Sequence, residues 1–172
     1  GHWEADWRED CLAALIKEGF SVVIKGGHWN RKNGNPLLGS LYPINTVFGP
    51  QYNHIYANSV AGLCFFSKIN NDKWTERPLE IIAVGGLLVC ERTDEATSYF
   101  KDGEEACFFS SLNELIGIVR TLKENPNLRE QIRAAGLRRL LSEPHTIDDR
   151  ARELLVIVRE IMATKRDSIC VE

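Results

Sequence analysis

Apolar positions fall at helical spacing in some stretches of this chain and in short β-branched runs in others, and the two kinds alternate. Trp3, Trp7, Cys11 and Leu15 recur at i, i+4 with Leu12 and Ile16 beside them, which predicts an amphipathic helix from Trp3 to Glu18 ended by Gly19. Phe20 to Ile24 is a β-branched run and predicts a strand. Gly26 to Pro36 reads as a loop, and Pro43 and Asn45 break any long element between Leu37 and Gly49. Pro50 to Asn58 predicts a short helix and Val60 to Phe66 a buried strand.

A regular alternation follows: helix near Glu76 to Val84, strand Leu87 to Cys90, short helix Asp94 to Phe100, strand Ala106 to Phe109. Strands joined by helices imply a parallel sheet covered on both faces, because antiparallel pairs need only tight turns. Ser111 with Glu114 makes a capping-box pattern ahead of the stripe Leu112, Leu115, Ile116, Val119 and Leu122. Pro126 opens a further helix, and Thr146 with Asp149 makes a second box before a last helix through Leu154, Leu155, Val158 and Ile161. The expected architecture is α/β: a Rossmann-like parallel sheet flanked by helices, with a helical C-terminal end. One domain is expected over residues 1–165, with 166–172 a frayed tail. Ligands of such sheets bind beyond the carboxyl ends of the strands, and three loops lie there: Gly26 to Asn35, Ser67 to Thr75 and Glu91 to Asp94.

Composition narrows the function classes. With 172 residues, 44% of them apolar, the chain has material for one good core. A net charge of −3 leaves no electrostatic footprint for nucleic acid. No apolar stretch approaches the roughly 20 residues that span a bilayer, so no membrane span is expected and a cytoplasmic setting is the simplest expectation. The five cysteines are odd in number and widely spaced, which favours buried thiols over a disulfide framework. His2, His28, His54 and His145 have no ligand spacing with one another or with cysteine, so neither a metal nor another cofactor is expected. Neither a Gly-x-Gly-x-x-Gly fingerprint nor a Gly-x-Ser-x-Gly elbow occurs, which disfavours a dehydrogenase and a hydrolase.

The candidate chemistry concentrates between Asn58 and Gly86. Asp72 and Glu80 stand eight positions apart across a polar loop, one at the strand end and one in the first turn of the next helix. Carboxylates accept hydrogen bonds from vicinal hydroxyls, free amides at a helix start face an incoming diphosphate, and the fork of Arg77 suits phosphate oxygens. Plainer readings stand beside these: Glu80 as a first-turn carboxylate favoured by the helix dipole, Asp72 as an ordinary loop residue, Arg77 as a solvated charge. Gly85-Gly86 reads as a helix end. Trp29, in a glycine-flanked loop, either stacks on a nucleobase or caps the edge of the core.

The pattern Asp72-x-x-Thr75-x-Arg77-x-x-Glu80-Ile81-x-Ala83-x-Gly85-Gly86, followed by Glu91-Arg92-Thr93 and Gly103-x-Glu105, resembles the CgeB-like (spore maturation protein) glycosyltransferases. The opening GHWEADWRE and the segment LKENPNLREQIRAAGLRRL resemble the first turn and the closing helices of that family. The resemblance implies one half of a GT-B fold, the domain that binds the nucleotide-diphosphate sugar as donor substrate for hexosyl or related transfer. It implies substrate-binding roles for Asp72, Thr75, Arg77, Glu80, Arg8 and Glu91, and leaves the catalytic residues unknown. Related enzymes more often carry glutamate at the first acidic site, where this chain has Asp72. The family has just finished a strand where this chain begins, so a first central strand is expected to be absent or cut short. An N-terminal acceptor-binding domain is then the missing partner, and the isolated chain is expected to be inactive. The alternative is a non-catalytic nucleotide-binding or protein-interaction module on the same fold.

Overall fold

Alternation along three short strands sorts the side chains onto two faces, and each face is covered by helices. The computed structural model describes residues 1–31 and 34–169, with the side chains of the last helix described through residue 163. In chain order the elements are α1 (Arg8–Lys17), a 3-10 helix (Pro36–Leu41), α2 (Pro50–Ala57), β1 (Gly62–Cys64), α3 (Arg77–Ala83), β2 (Leu88–Glu91), α4 (Asp94–Tyr99), β3 (Cys107–Phe109), α5 (Leu112–Glu124), α6 (Pro126–Leu141) and α7 (Ile147–Ile169). The strands form one parallel sheet in the order β1-β2-β3, with Gly62 opposite Leu88 and Val89 opposite Cys107. This is the Rossmann-like α/β architecture expected from the alternation.

On one face Cys64, Phe66, Leu88, Cys90, Ala106 and Phe108 pack against Ile81 and Ile82 of α3 and Leu140 of α6. On the other, Leu87, Val89, Cys107 and Phe109 meet Cys11 and Leu15 of α1 and Leu115, Val119 and Leu122 of α5. Each such side chain contributes about 1.5–3 kcal/mol when fully buried, so the double cover is what holds three very short strands in place. A third cluster, Leu12, Ile24, Trp29, Leu38 and Ile44, closes the side of the molecule beyond β1. Burial pushes the thiols of Cys11 and Cys107 up, to about 12 and about 11, and Cys90 in the same direction, so these groups stay protonated core residues.

Helix ends follow the local chemistry. Gly19 and Gly85 take φ of +80° and +82°, and in each case the next residue donates to the carbonyl five back, Phe20 to Leu15 and Gly86 to Ile81. Ser111 and Thr146 cap α5 and α7, accepting from the amides of Glu114 and Asp149.

Two expectations change. The first helix begins at Arg8 rather than near Trp3, because the first residues are drawn into a parallel ladder: the Gly1 amine donates to the Lys25 carbonyl at 2.7 Å and the Trp3 amide to the Gly27 carbonyl at 3.0 Å. The segment from Phe20 to Ile24 is not a strand of the sheet, since among the described residues no backbone group pairs with the amides of Ser21 to Lys25. The last helix runs from Ile147 to Ile169, and of the tail expected at 166–172, residues 170–172 lie outside the described residues. So do residues 32 and 33 of the first predicted loop.

Candidate functional site

A cleft of about 920 Å³ opens between the extended segment 19–25 and α2 on one side and β1 with the loop leading into α3 on the other. Its inner part is apolar and its mouth is polar. Six of the seven candidate residues line it: Arg8, Trp29, Asp72, Thr75, Arg77 and Glu80. Glu91 does not.

The loop from Ser67 to Asp72 is tied into a compact turn. Ser67 Oγ accepts from the Asn70 amide, the Asp72 amide donates back to the Ser67 carbonyl at 2.9 Å, and Asn71 takes the left-handed conformation that asparagine tolerates. The turn sets Asp72 at the cleft with no partner for its carboxylate among the described residues. Thr75 Oγ1 accepts from the Arg77 amide, and Pro78, which has no N–H, occupies the first turn of α3.

Arg77 and Glu80 pair at 2.8 Å one helical turn apart. Tyr52, from α2, joins them: its hydroxyl donates to Glu80 Oε2 at 2.9 Å and accepts from Arg77 Nη1, and the guanidinium carbon lies 5.1 Å from the ring centre. Tyr56, one turn further along α2, meets the Tyr52 ring edge-on at 4.9 Å. Burial acts to lower the Arg77 pKa, but the bond to Tyr52 and the charge of Glu80 outweigh it and hold the value above the usual one. Burial, the neighbouring Tyr56 and the bond to Glu80 push the Tyr52 hydroxyl up, so it stays protonated and donating. Arg77 uses only Nη1 in these contacts, and Glu80 only Oε2. Among the described residues the Nε and Nη2 donors of Arg77 and the Oε1 acceptor of Glu80 have no hydrogen-bond partner, which leaves them open to a ligand.

The Gly1 amine has its pKa lowered to about 6, by burial first and then by the charges of Arg77 and Arg8, so both guanidiniums act on one point.

The other candidates have different surroundings. Arg8 is 6% exposed, with Nε and Nη2 bound to the carboxylate of Asp6, Nη1 donating to the His2 carbonyl and Nη2 to the Phe66 carbonyl. Trp29 is 4% exposed in the third cluster, and its indole donates to the Gly1 carbonyl at 2.8 Å. Glu91 is 6% exposed at the end of β2, accepting from the Phe66 amide at 3.1 Å, from Trp7 Nε1 at 3.2 Å and from Lys68 Nζ. These three tie the N-terminal segment to the strand ends and so fix the floor and rim on which the loop carrying Asp72 to Glu80 stands.

Tyr52 is the residue that sequence reasoning missed. The signal was Tyr52 and Tyr56 at i, i+4, two amphipathic aromatics on one face of a helix too short to bury them. Among the described residues, no three His, Cys, Asp or Glu side chains converge as a metal cage, and no helix is long and apolar enough to cross a membrane.

Comparison with known proteins returns one family: the model of a family described as glycosyl transferase-like matches residues 8–156, from the start of α1 into α7. No curated protein matches the chain, and no solved structure does.

Proposed function

The chain belongs to the glycosyl transferase-like family, and from that premise we propose that it is a CgeB-like domain that grips the nucleoside diphosphate of a sugar donor at the mouth of the cleft. One observation carries the reading. Arg77 and Glu80 are held in place by Tyr52 and by each other, yet each keeps an unused hydrogen-bonding edge in a cleft that also takes Asp72 and Thr75.

The division of labour follows from the chemistry of each group. Arg77 presents Nε and Nη2 as a planar pair of donors suited to two diphosphate oxygens. Glu80 Oε1 accepts from the vicinal hydroxyls of the ribose, and Asp72, one loop turn away, accepts from hydroxyls of the sugar. Thr75 adds a hydroxyl beside the phosphates. In sugar transfer the bond between the anomeric carbon and the diphosphate oxygen breaks, and negative charge grows on the leaving oxygen. A guanidinium already fixed by Tyr52 and Glu80 stabilises that charge without rearranging. The acceptor and the general base are assigned to a partner domain, whose approach supplies the positioning term worth ~7–11 kcal/mol.

Titration calorimetry of the folded chain against UDP, GDP and TDP tests the reading. At least one is expected to bind, and Arg77→Ala is expected to weaken that binding by about 1.5–3 kcal/mol, the range for hydrogen bonds to a charged group. No heat from any of the three at millimolar ligand turns the assignment toward a non-catalytic module on the same fold.

A further inference from the structure

The loop that carries the candidate site is held in two different ways. From Ser67 to Asp72 the turn holds itself, with the Asp72 amide donating to the Ser67 carbonyl and the Asn70 amide to Ser67 Oγ. From Lys73 to Glu76 that support stops, since among the described residues no backbone carbonyl accepts from these amides. Yet Asp72, Thr75 and Arg77 all line the cleft, and Lys73 and Trp74 between them do not. Side chains rather than the backbone therefore set the course of this stretch.

Two residues of α4 and its cap supply the hold. Thr93, the N-cap, accepts from the Ala96 amide at 3.0 Å and donates its hydroxyl to the Lys73 carbonyl at 2.6 Å. One hydroxyl thus fixes the start of α4 and the start of the unsupported stretch together. At the other end of α4, the Tyr99 ring lies parallel to the Trp74 indole with centres 4.2 Å apart. Trp74 also meets Phe100 of the core at 6.5 Å. Tyr99 is anchored in turn: its carbonyl accepts from Arg139 Nε of α6 at 3.2 Å, and the His145 ring lies 6.2 Å from its own. A parallel stack restrains both the height and the tilt of the indole, and the backbone on either side of Trp74 inherits that restraint. Neither Thr93 nor Tyr99 lines the cleft.

We propose that Trp74 is a positioning residue for donor binding: stacked on Tyr99 and seconded by the Thr93 hydroxyl, it fixes the stretch from Lys73 to Glu76 so that Thr75 and Arg77 face the same space as Asp72. The role rests on the nucleotide reading above and adds that the geometry of the site is set from α4, outside the cleft. Without the clamp the ligand itself has to order the loop, and that ordering is drawn from the free energy of binding.

The test uses the whole chain and three variants, Trp74→Ala, Tyr99→Ala and Trp74→Phe, titrated with UDP, GDP and TDP and followed by amide exchange without ligand. Each alanine variant is expected to weaken the nucleotide that the unaltered chain binds by about three- to tenfold, and the double variant no further than the stronger single one. Trp74→Phe keeps an aromatic face and is expected to recover most of the loss. Without ligand, exchange at Asp72 is expected to quicken about threefold or more in both alanine variants while Val89 of β2 is unmoved. A folded Trp74→Ala chain of unaltered affinity overturns the proposal. So does a loss of affinity that merely follows the folded fraction, read from the midpoint in urea. If Trp74→Ala does not fold, Tyr99→Ala decides on the same terms. Binding that is indifferent to Trp74 and Tyr99 sinks this role alone, whereas an unaltered chain that binds none of the three nucleotides sinks the nucleotide reading and this role with it.

Discussion

Glu80 and Glu91 carry the same carboxylate into opposite settings. Glu80 stands half-exposed at the mouth with one oxygen unpartnered among the described residues, whereas Glu91 is buried and accepts from Phe66, Trp7 and Lys68. Glu91→Ala strands the buried Phe66 amide and the part-buried Trp7 indole and is expected to destabilise the fold by about 1–3 kcal/mol for the buried donor, read as a lower midpoint in urea denaturation. Glu80→Gln is expected to leave that midpoint nearly unmoved and to weaken nucleotide binding. The opposite pairing of effects would exchange the two roles. Asp72, Thr75, Arg77 and Glu80 were legible as a group because one continuous loop carries them, so nearness in sequence became nearness in space. Arg8, Trp29 and Glu91 were legible only as polar or aromatic residues near the rim. Their neighbours, such as Leu38 and Ile44 around Trp29 or Asp6 around Arg8, are set by tertiary packing that spacing does not encode. Tyr52 escaped because its partners lie 25 and 28 positions away.

At the scale of elements, local signals did best where an element satisfies itself. The Thr146 and Asp149 box forms with both reciprocal bonds, the Thr146 amide to Asp149 Oδ2 at 3.0 Å and the Asp149 amide to Thr146 Oγ1 at 3.1 Å. It matters more than usual, because α7 leaves Leu154, Leu155, Val156, Ile157, Val158, Ile161 and Met162 exposed and draws little from packing. Thr146→Ala is expected to cost the helix start about 0.5–2 kcal/mol. Amide exchange should quicken at Asp149 and Arg150 while β2 is unaffected. Equal quickening in β2 would mean that α7 is part of the cooperative core. Periodicity was least informative where an element depends on a neighbour. The β-branched run from Phe20 to Ile24 predicted a strand, but a strand also needs a partner on its edge, and that cannot be read from the run itself. The first helix likewise starts late because Gly1 and Trp3 bond to residues two dozen positions away.

For the molecule as a whole, the parallel sheet with two covered faces followed from strands alternating with helices, and the family match spans the same elements. What no spacing announces is the cleft, since its walls come from five separate stretches of chain. The central claim is that its polar mouth, and no other surface, takes the diphosphate of a sugar donor. Chemical-shift mapping of the labelled chain with UDP, GDP and TDP tests this most directly. The account predicts perturbations gathered at Tyr52, Asp72, Thr75, Arg77 and Glu80, lost in Arg77→Ala while the rest of the spectrum keeps its dispersion. Perturbations centred on α5 to α7, or a spectrum unmoved by all three nucleotides at millimolar concentration, would contradict it.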